Sequence, residues 1–198
     1  MSNLTRLMVL GAVHQFQPVH GYFLRQELIT WHVDEWANVN PGSIYNALSS
    51  LKKDGYVEEH CIETQGKRPE RTVYKMTPEG NVEFIRLLRK VIWTVDAFDT
   101  KSGMVLTSFM FALSRQEVIE VLEHRVREID ARVKANGYHV EDVVQSETTP
   151  LYVREIFELS TTRLKGEKEW TEALLQRLHD GEYSFAGEEP SRRGRHQP

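Results

Sequence analysis

The segment 40–55, NPGSIYNALSSLKKDG, constrains the fold more strongly than any other stretch because both ends of a helix are encoded in it. Asn40 is a favoured N-cap residue, and Pro41 suits the first helical position, where its missing N–H would have no partner. Gly55 can adopt the left-handed conformation that ends many helices, and two lysines in the last turn face the negative end of the helix dipole. The sequence therefore predicts one short helix with defined ends.

The two faces of this helix differ in chemistry. Ile44, Leu48 and Leu51 recur at spacings of four and three and predict a buried stripe. The outer face suits a DNA major groove, because short hydroxyl and amide side chains let the backbone approach and bond to phosphates or base edges. For the helix taken alone, an ordinary amphipathic surface helix is the favoured alternative. The candidate groove residues are Ser43, Tyr45, Asn46 and Ser49, with Asn46 best suited to a base edge.

Composition limits the classes of protein to consider. The chain has 198 residues, 40% hydrophobic and 27% charged, which is ordinary for a soluble globular protein. Its net charge of −4 means that any nucleic-acid surface is a local patch. One cysteine, Cys61, excludes an intrachain disulfide and fits a reducing compartment. Without an apolar run of membrane-spanning length or a signal-peptide pattern, the sequence predicts a cytoplasmic protein with no membrane association.

Two further helices precede the segment 40–55. Apolar periodicity predicts them at residues 3–13 and 22–31, separated by a turn at 17–21, with an irregular connection at 31–39 anchored by Trp36. Three short helices with a turn before the last are typical of a helix-turn-helix arrangement.

A β-hairpin is predicted directly after the third helix. Its strands are 56–63 and 71–76, rich in β-branched and aromatic residues, and a polar, basic tip lies at 64–70. A solvated surface loop is the alternative for any basic tip, but a basic hairpin behind a groove-reading helix is a more specific conjunction. The expected phosphate contacts are Lys52, Lys67, Arg68 and Arg71.

Three motifs across residues 4–85 together resemble the PadR family of bacterial winged-helix regulators. They are His20-Gly21-Tyr22, then Pro41 to Leu48 with Leu51 and Gly55-Tyr56-Val57, and finally Tyr74 to Gly80. The resemblance implies a dimeric repressor whose third helix enters the major groove and whose hairpin touches the flanking backbone. Gln17-Pro18-Val19 stands where the family often has a Gly-Pro pair, a departure that bears on the shape of the turn.

The predicted fold class is mainly α, of the α+β type. It combines a winged helix-turn-helix that has a two-stranded wing with an all-α C-terminal helical or coiled-coil dimerisation domain. Thr77-Pro78 starts a connecting helix that is expected to reach about residue 99, and 101–103 is expected to mark a boundary. The predicted divisions are 1–80 for DNA binding, 81–101 for the connecting helix, 102–180 for dimerisation, and 181–198 for a disordered tail.

A heptad seam follows the capping box of Ser114 and Glu117. Charged residues flank the seam, with Glu123 and Asp130 on one side and Arg125 and Arg132 on the other, a pattern that favours ion pairs between helices. The seam is short for a free coiled coil, so we expect it to pack against another helix of the same dimer. Asn136-Gly137 would end or bend this helix, and a last helix is predicted at 149–179. The predicted dimerisation residues are Ile119, Leu122, Val126, Ile129, Val133, Trp170 and Leu174.

Four aromatic residues are the candidates for an effector site. Trp93, Phe98, Phe109 and Phe111 fall near the predicted junction of the two halves, where a planar aromatic compound would stack between helices. The favoured alternative is that these aromatic residues belong to the core. The family resemblance suggests a response to phenolic or multidrug-like compounds, although no residue identifies one.

Catalysis and metal binding are not expected. The eight histidines are scattered without metal-ligand spacing, and neither a phosphate-cradling glycine loop nor a nucleophile elbow occurs. We therefore predict a protein that is not an enzyme and has no cofactor. The predicted function is a homodimeric repressor of a pseudo-palindromic operator in double-stranded DNA, released by a small aromatic effector. The alternatives are an activator that recruits a protein through its C-terminal helices, and a winged-helix module that binds only protein.

Overall fold

The computed structural model describes residues 2–63, 71–96, 98–185 and 188, with only the backbone described for 61–63 and 71. The chain divides into two compact units, Met1–Val91 and Ile92–Pro198. The elements of the first unit are α1 (Asn3–Phe16), β1 (Val19–His20), α2 (Gly21–Thr30), α3 (Val33–Trp36), α4 (Pro41–Lys53), β2 (Val57–Glu63), β3 (Arg71–Met76) and α5 (Pro78–Ile92), whose last residue falls in the second unit. The second unit then contains α6 (Lys101–Phe109), α7 (Arg115–Gln145) and α8 (Arg154–His179), with short 3-10 turns at Met110–Ala112 and Leu151–Val153.

The first unit is a helix-turn-helix followed by a wing, and the predicted fold class is confirmed. The apolar stripe of α4 is buried, with Ile44 and Leu51 at 0% exposure. In the sheet, β3 lies between β1 and β2, and both pairings are antiparallel. The predicted wing is thus extended by a third, two-residue strand from the turn before α2. The connection expected to be irregular contains α3, and Trp36 anchors it by donating its indole N–H to the carbonyl of Trp31 at 2.9 Å.

The two ends of α4 differ from each other in how well the sequence predicted them. Asn40 is the N-cap residue, as predicted, but its side chain makes no capping hydrogen bond. Instead, the carbonyl oxygen of Asn40 accepts two hydrogen bonds from Ser43, one from its amide at 2.9 Å and one from its hydroxyl at 2.6 Å. Gly55 has φ +77°, as predicted. Tyr56 donates its amide to Leu51 O at 2.9 Å, a Schellman closure.

The connecting helix is shorter than predicted. Its start is confirmed, since Thr77 Oγ1 accepts the amide of Gly80 at 3.0 Å. It ends at Ile92 rather than near residue 99. The carboxylate of Asp96 accepts the amide of Phe98, and that of Asp99 accepts the amide of Lys101, each at 2.9 Å. Such local bonds compete with helical hydrogen bonding. The expected boundary at 101–103 is instead the first turn of α6.

Helices α7 and α8 pack against each other along the predicted seam. Ile129 and Leu164 belong to one buried cluster with Val95, and Val133 packs against it. Two of the four charged residues predicted beside the seam form ion pairs with α8 of the same chain. Asp130 accepts a hydrogen bond from Lys168 at 2.6 Å, and the fully buried Arg125 donates to Glu167.

Asn136 lies inside α7, so the helix does not end at this position. Its side-chain amide donates to the hydroxyl groups of Ser160 and Thr161 on α8, both at 3.1 Å. A buried asparagine held in this way bonds across the helix pair instead of to its own backbone. Helix α7 therefore continues to Gln145, where Ser146 caps it.

The beginning of the predicted disordered tail is packed. Arg115 Nη2 donates to the carbonyl of Tyr183 and to the carboxylate of Glu188, each at 2.6 Å. Phe185 is buried, and its ring lies 5.2 Å from that of Phe111. The paired guanidinium of Arg115 lowers the pKa of Glu188 to about 2. The tail prediction is therefore wrong for residues 182–185, whereas most of the following residues lie outside the described part.

Candidate nucleic-acid interface

The outer face of α4 carries the predicted groove residues. Tyr45, Asn46 and Ser49 are exposed, and Ser43 is half-buried with its hydroxyl bonded to the carbonyl of Asn40. Because the opposite stripe fills the core, the helix is held with this polar face outward. Three of the four residues are thus free to contact a ligand, and Ser43 would first have to release its intrachain bond.

Lysines at the end of α4 are in two different situations. Lys52 Nζ forms an ion pair with Glu59 Oε1 of β2 at 2.6 Å. Lys53 is exposed and takes part in no ion pair among the described residues. The sequence predicted a phosphate contact for Lys52 and overlooked its acidic neighbour on the following strand. A phosphate at Lys52 would have to share that ammonium group with a carboxylate.

The basic tip of the wing falls where the structure gives no description. Lys67 and Arg68 lie outside the described residues, and for Arg71 only its backbone position as the first residue of β3 is described. On the described part of β3, Lys75 is exposed and lies opposite Glu58 of β2. The predicted phosphate contacts of the tip therefore stay a prediction.

Sequence reasoning assigned no role to a pocket beside α4. This pocket, ≈ 420 Å³ in volume, is lined by His20, Gly21, Tyr22, Tyr45, Thr72 and Tyr74, and we call it the tyrosine pocket. Only Tyr45 was proposed for DNA contact. Three other lining residues form one sequence motif, His20-Gly21-Tyr22. Spacing along the sequence does not show that β3 lies beside the start of α2.

The predicted dimerisation residues are mostly buried within the chain. Because α8 of the same chain covers the seam, the burial of these side chains does not require a second copy of the chain. The buried residues are Ile119, Leu122, Ile129 and Leu174, the half-buried ones are Val126 and Val133, and Trp170 is exposed.

The four predicted effector residues are in different surroundings. Trp93 lies 5.2 Å from the ring of His124, and Phe111 contacts Phe185. Phe109 is buried, whereas Phe98 is 67% exposed. Within the described ranges, no group of three or more histidine, cysteine, aspartate or glutamate side chains is placed to hold a metal ion. In the same part of the chain, no helix is long and apolar enough to cross a bilayer.

A helix with a polar outer face, preceded by a turn and followed by an antiparallel wing, defines the first unit as a winged-helix domain. Residues 9–86 match the model of the transcriptional regulator PadR-like family. This match covers most of the first unit, and it supports the prediction that the chain is a transcriptional regulator rather than an enzyme.

Several solved structures are similar to the chain at low sequence identity. PadR of Bacillus subtilis in complex with operator DNA is 19% identical, with a TM-score of 0.39 over 87% of this chain and 98% of that one. The PadR-like transcriptional regulator BC1756 of Bacillus cereus is 18% identical, with a TM-score of 0.36 over 89% and 99%. The protein smu.1604c of Streptococcus mutans is 20% identical, with a TM-score of 0.39 over 86% and 98%. No curated protein sequence matches the chain.

Proposed function

We propose that this regulator is a homodimeric repressor that binds a pseudo-palindromic site in double-stranded DNA. The observation that carries the proposal is the outward polar face of α4 beside a wing, in a domain that matches the model of the PadR-like family. A symmetric dimer would present two copies of α4 to successive major grooves, about 34–36 Å apart.

Within this proposal, Asn46 reads a base edge and the basic side chains hold phosphates. The amide of an asparagine offers a paired donor and acceptor, which suits adenine in the major groove. The same face of α4 makes further contacts with the DNA through Ser43, Tyr45 and Ser49. Lys52, Lys67, Arg68 and Arg71 would supply charge, with the ammonium group of Lys52 shared between Glu59 and a phosphate.

The test begins with DNA selected from a random duplex pool by the full-length protein, followed by titrations at several salt concentrations. Asn46→Ala should bind selected and random duplexes more equally, because it removes a base contact. Lys67→Ala should weaken binding to both and lower the salt slope by about 1. Lys165→Ala, an exposed lysine on α8, is the matched control. Absence of salt-dependent binding to any duplex would refute DNA recognition and favour the protein-only alternative.

We assign the dimer interface to an exposed apolar stripe on the second unit. Tyr152, Ile156 and Leu159 are 74%, 53% and 59% exposed, and Trp170 lies on the same face of α8 about three turns further on. This stripe lies beside the α8 face that packs on α7, so a second copy would extend the helical packing. Among the residues proposed from sequence, Trp170 keeps a direct role, and the buried seam residues act by holding α7 and α8 together.

Light scattering tests this interface. The double substitution of Ile156 and Leu159 by glutamate should halve the measured mass, because two carboxylates would oppose their copies across a symmetric contact. Val82→Glu, at a residue 70% exposed on α5, is the matched control and should keep the dimer. A dimer that survives the double substitution would place the interface elsewhere.

Release by a small aromatic effector completes the proposal, with Trp93, Phe98, Phe109 and Phe111 as its candidate residues. The exposed rings of Phe98 and Trp93 support this assignment. A panel of phenolic acids should displace the selected DNA and alter tryptophan fluorescence if this assignment is right. Transcription of a reporter carrying the selected site distinguishes the repressor from an activator.

A further inference from the structure

The tyrosine pocket lies on one flank of α4 within the first unit. Tyr45 lines it from α4, Thr72 and Tyr74 from β3, and Tyr22 from α2. The floor is Gly21, which lies close to both phenol rings. A Cβ at this position would lie 3.3 Å from Leu48 Cδ1, and it would be in ordinary van der Waals contact with Tyr45 Cε1 at 3.4 Å and Tyr74 Cε2 at 3.6 Å.

Tyr45 connects this pocket to the proposed groove face. It is exposed on α4 next to Asn46, so a duplex reached by Asn46 is also within reach of the pocket mouth. An α-helix with its side chains is about 10–12 Å wide, and the major groove is about 12 Å wide. The two sugar-phosphate strands therefore run directly along the flanks of an inserted helix. One of those flanks of α4 is the tyrosine pocket.

The lining is chemically suited to a phosphodiester. Three phenols and one threonine hydroxyl offer neutral donors beside the imidazole of His20, and no carboxylate or ammonium group is among the lining residues that the structure describes. Glu59, opposite Tyr74 on β2, acts on the phenol of Tyr74 and is held in an ion pair by Lys52. Burial, with Glu59, raises the pKa of Tyr74, so its phenol keeps its proton and remains a donor. Tyrosine hydroxyls are common partners of DNA phosphates.

We infer that the tyrosine pocket seats one phosphodiester of the DNA strand that passes between α4 and the wing, through uncharged hydroxyl donors. The inference rests on the proposed DNA binding and adds a contact that carries no charge. Its ligand is the sugar-phosphate backbone, with the phosphate oxygens accepting from hydroxyl groups and the deoxyribose packing on the tyrosine rings. This contact would fix the register of the duplex along α4 without reading sequence.

The test compares removal of a hydroxyl with removal of a charge on the duplex selected by the wild-type protein. Tyr74→Phe and Tyr45→Phe each delete one oxygen and keep the ring. Each should weaken binding on the order of tenfold, the loss expected for a hydrogen bond to a charged group, on selected and random duplexes alike. The salt slope should stay unchanged because no cation is removed, in contrast to Lys67→Ala. Tyr138→Phe, at an exposed tyrosine of α7, is the matched control.

A second measurement identifies the phosphate. Duplexes are prepared in which one phosphate at a time is replaced by methylphosphonate. At one position the replacement should weaken binding of the wild-type protein but cause no further loss of affinity for Tyr74→Phe.

Each outcome decides the matter. Unchanged DNA affinity in both tyrosine variants, with a wild-type protein that binds, overturns the phosphodiester assignment alone. Loss of affinity with a lowered salt slope also overturns it, because the lost contact would then be ionic. If inorganic phosphate binds to the wild-type protein, and this binding depends on Tyr74 while DNA affinity does not, the pocket holds a free anion instead. A wild-type protein that binds no duplex refutes the proposed function itself.

Discussion

Thr77 donates its hydroxyl hydrogen to the carbonyl oxygen of Gly55 across 2.7 Å, and its oxygen accepts the amide of Gly80 at 3.0 Å. One side chain thus joins the left-handed end of α4 to the start of α5. The amide of Thr77 also donates to the carbonyl of Tyr56 at 3.1 Å. The orientation of the proposed groove helix is therefore tied to the helix that leaves the wing.

Substitution of Thr77 by valine should destabilise the protein by about 1–2 kcal/mol, since it deletes an N-cap and leaves the Gly55 carbonyl without this donor. Thr77→Ser keeps the hydroxyl and should lose less than half of that amount. Urea unfolding followed by circular dichroism measures both variants. Equal stability of the valine and serine variants would contradict the role of the hydroxyl group.

Gly80 should not tolerate a methyl group. A Cβ on Gly80 would lie 1.9 Å from the carbonyl oxygen of Tyr56, which is backbone and cannot swing aside. We expect Gly80→Ala to cost roughly 1–3 kcal/mol or more through overpacking. Gly42, in α4, has open space around it. Gly42→Ala should therefore stabilise the protein by about 0.5–1 kcal/mol, the helix-propensity difference. Thermal unfolding of the two variants in opposite directions is the expected result.

The fully buried Arg125 should depend on Glu167. Its Nε donates to Glu167 Oε1 at 2.6 Å and its Nη2 to Ser102 Oγ at 3.0 Å. Glu167→Leu would leave a buried cation without its counter-charge, and we expect a loss of about 3–5 kcal/mol. The double variant Arg125→Met with Glu167→Leu should recover most of this loss, because an apolar pair of similar volume is often as stable as a buried ion pair. A double variant no better than the single one would show that packing, and not charge, dominates this site.

His14 should make stability depend on pH. Burial lowers its pKa from 6.5, and the hydrogen bond with Asn81 opposes this only in part. The folded state therefore binds fewer protons than the unfolded state between the lowered pKa and 6.5, so stability falls as pH drops through that interval. Thermal midpoints between about pH 8 and about pH 5 should decline more steeply for the wild type than for His14→Gln. The exposed His60→Gln is the control and should keep the wild-type decline.

The sequence predicted those parts of the fold that depend on neighbouring residues. Gly55, Thr77 and β3 occur where local chemistry placed them, because caps and turns are decided within a few residues. The errors arose where distant groups compete. Asn136 favours a helix end by local rules, but hydroxyl groups on α8 hold it inside α7. Packing of Phe185 likewise depends on Arg115 and Phe111, which are far away in sequence.

The candidate site shows the same division. The outward face of α4 follows from helical periodicity, so Tyr45, Asn46 and Ser49 were predictable. The pairing of Lys52 with Glu59 requires knowledge of how β2 folds back beside α4. The tyrosine pocket needs the meeting of β1 and β3, which no spacing along the chain encodes. For the heptad seam, periodicity identified a packing surface but not the helix that covers it.

Asn136 also sets an alignment. It occupies the next seam position after Val133. The five predicted seam positions of α7 before it are all aliphatic, so Asn136 is the polar residue of this row. If α8 slipped along α7 by one heptad, the hydroxyl partners of Asn136 would move by about 10 Å. Its buried amide would then lie among hydrocarbon groups. Asn136 therefore fixes the register of α8 relative to α7. It fixes how far along the helix pair the outward stripe begins, and hence where a second copy of the chain would meet the first.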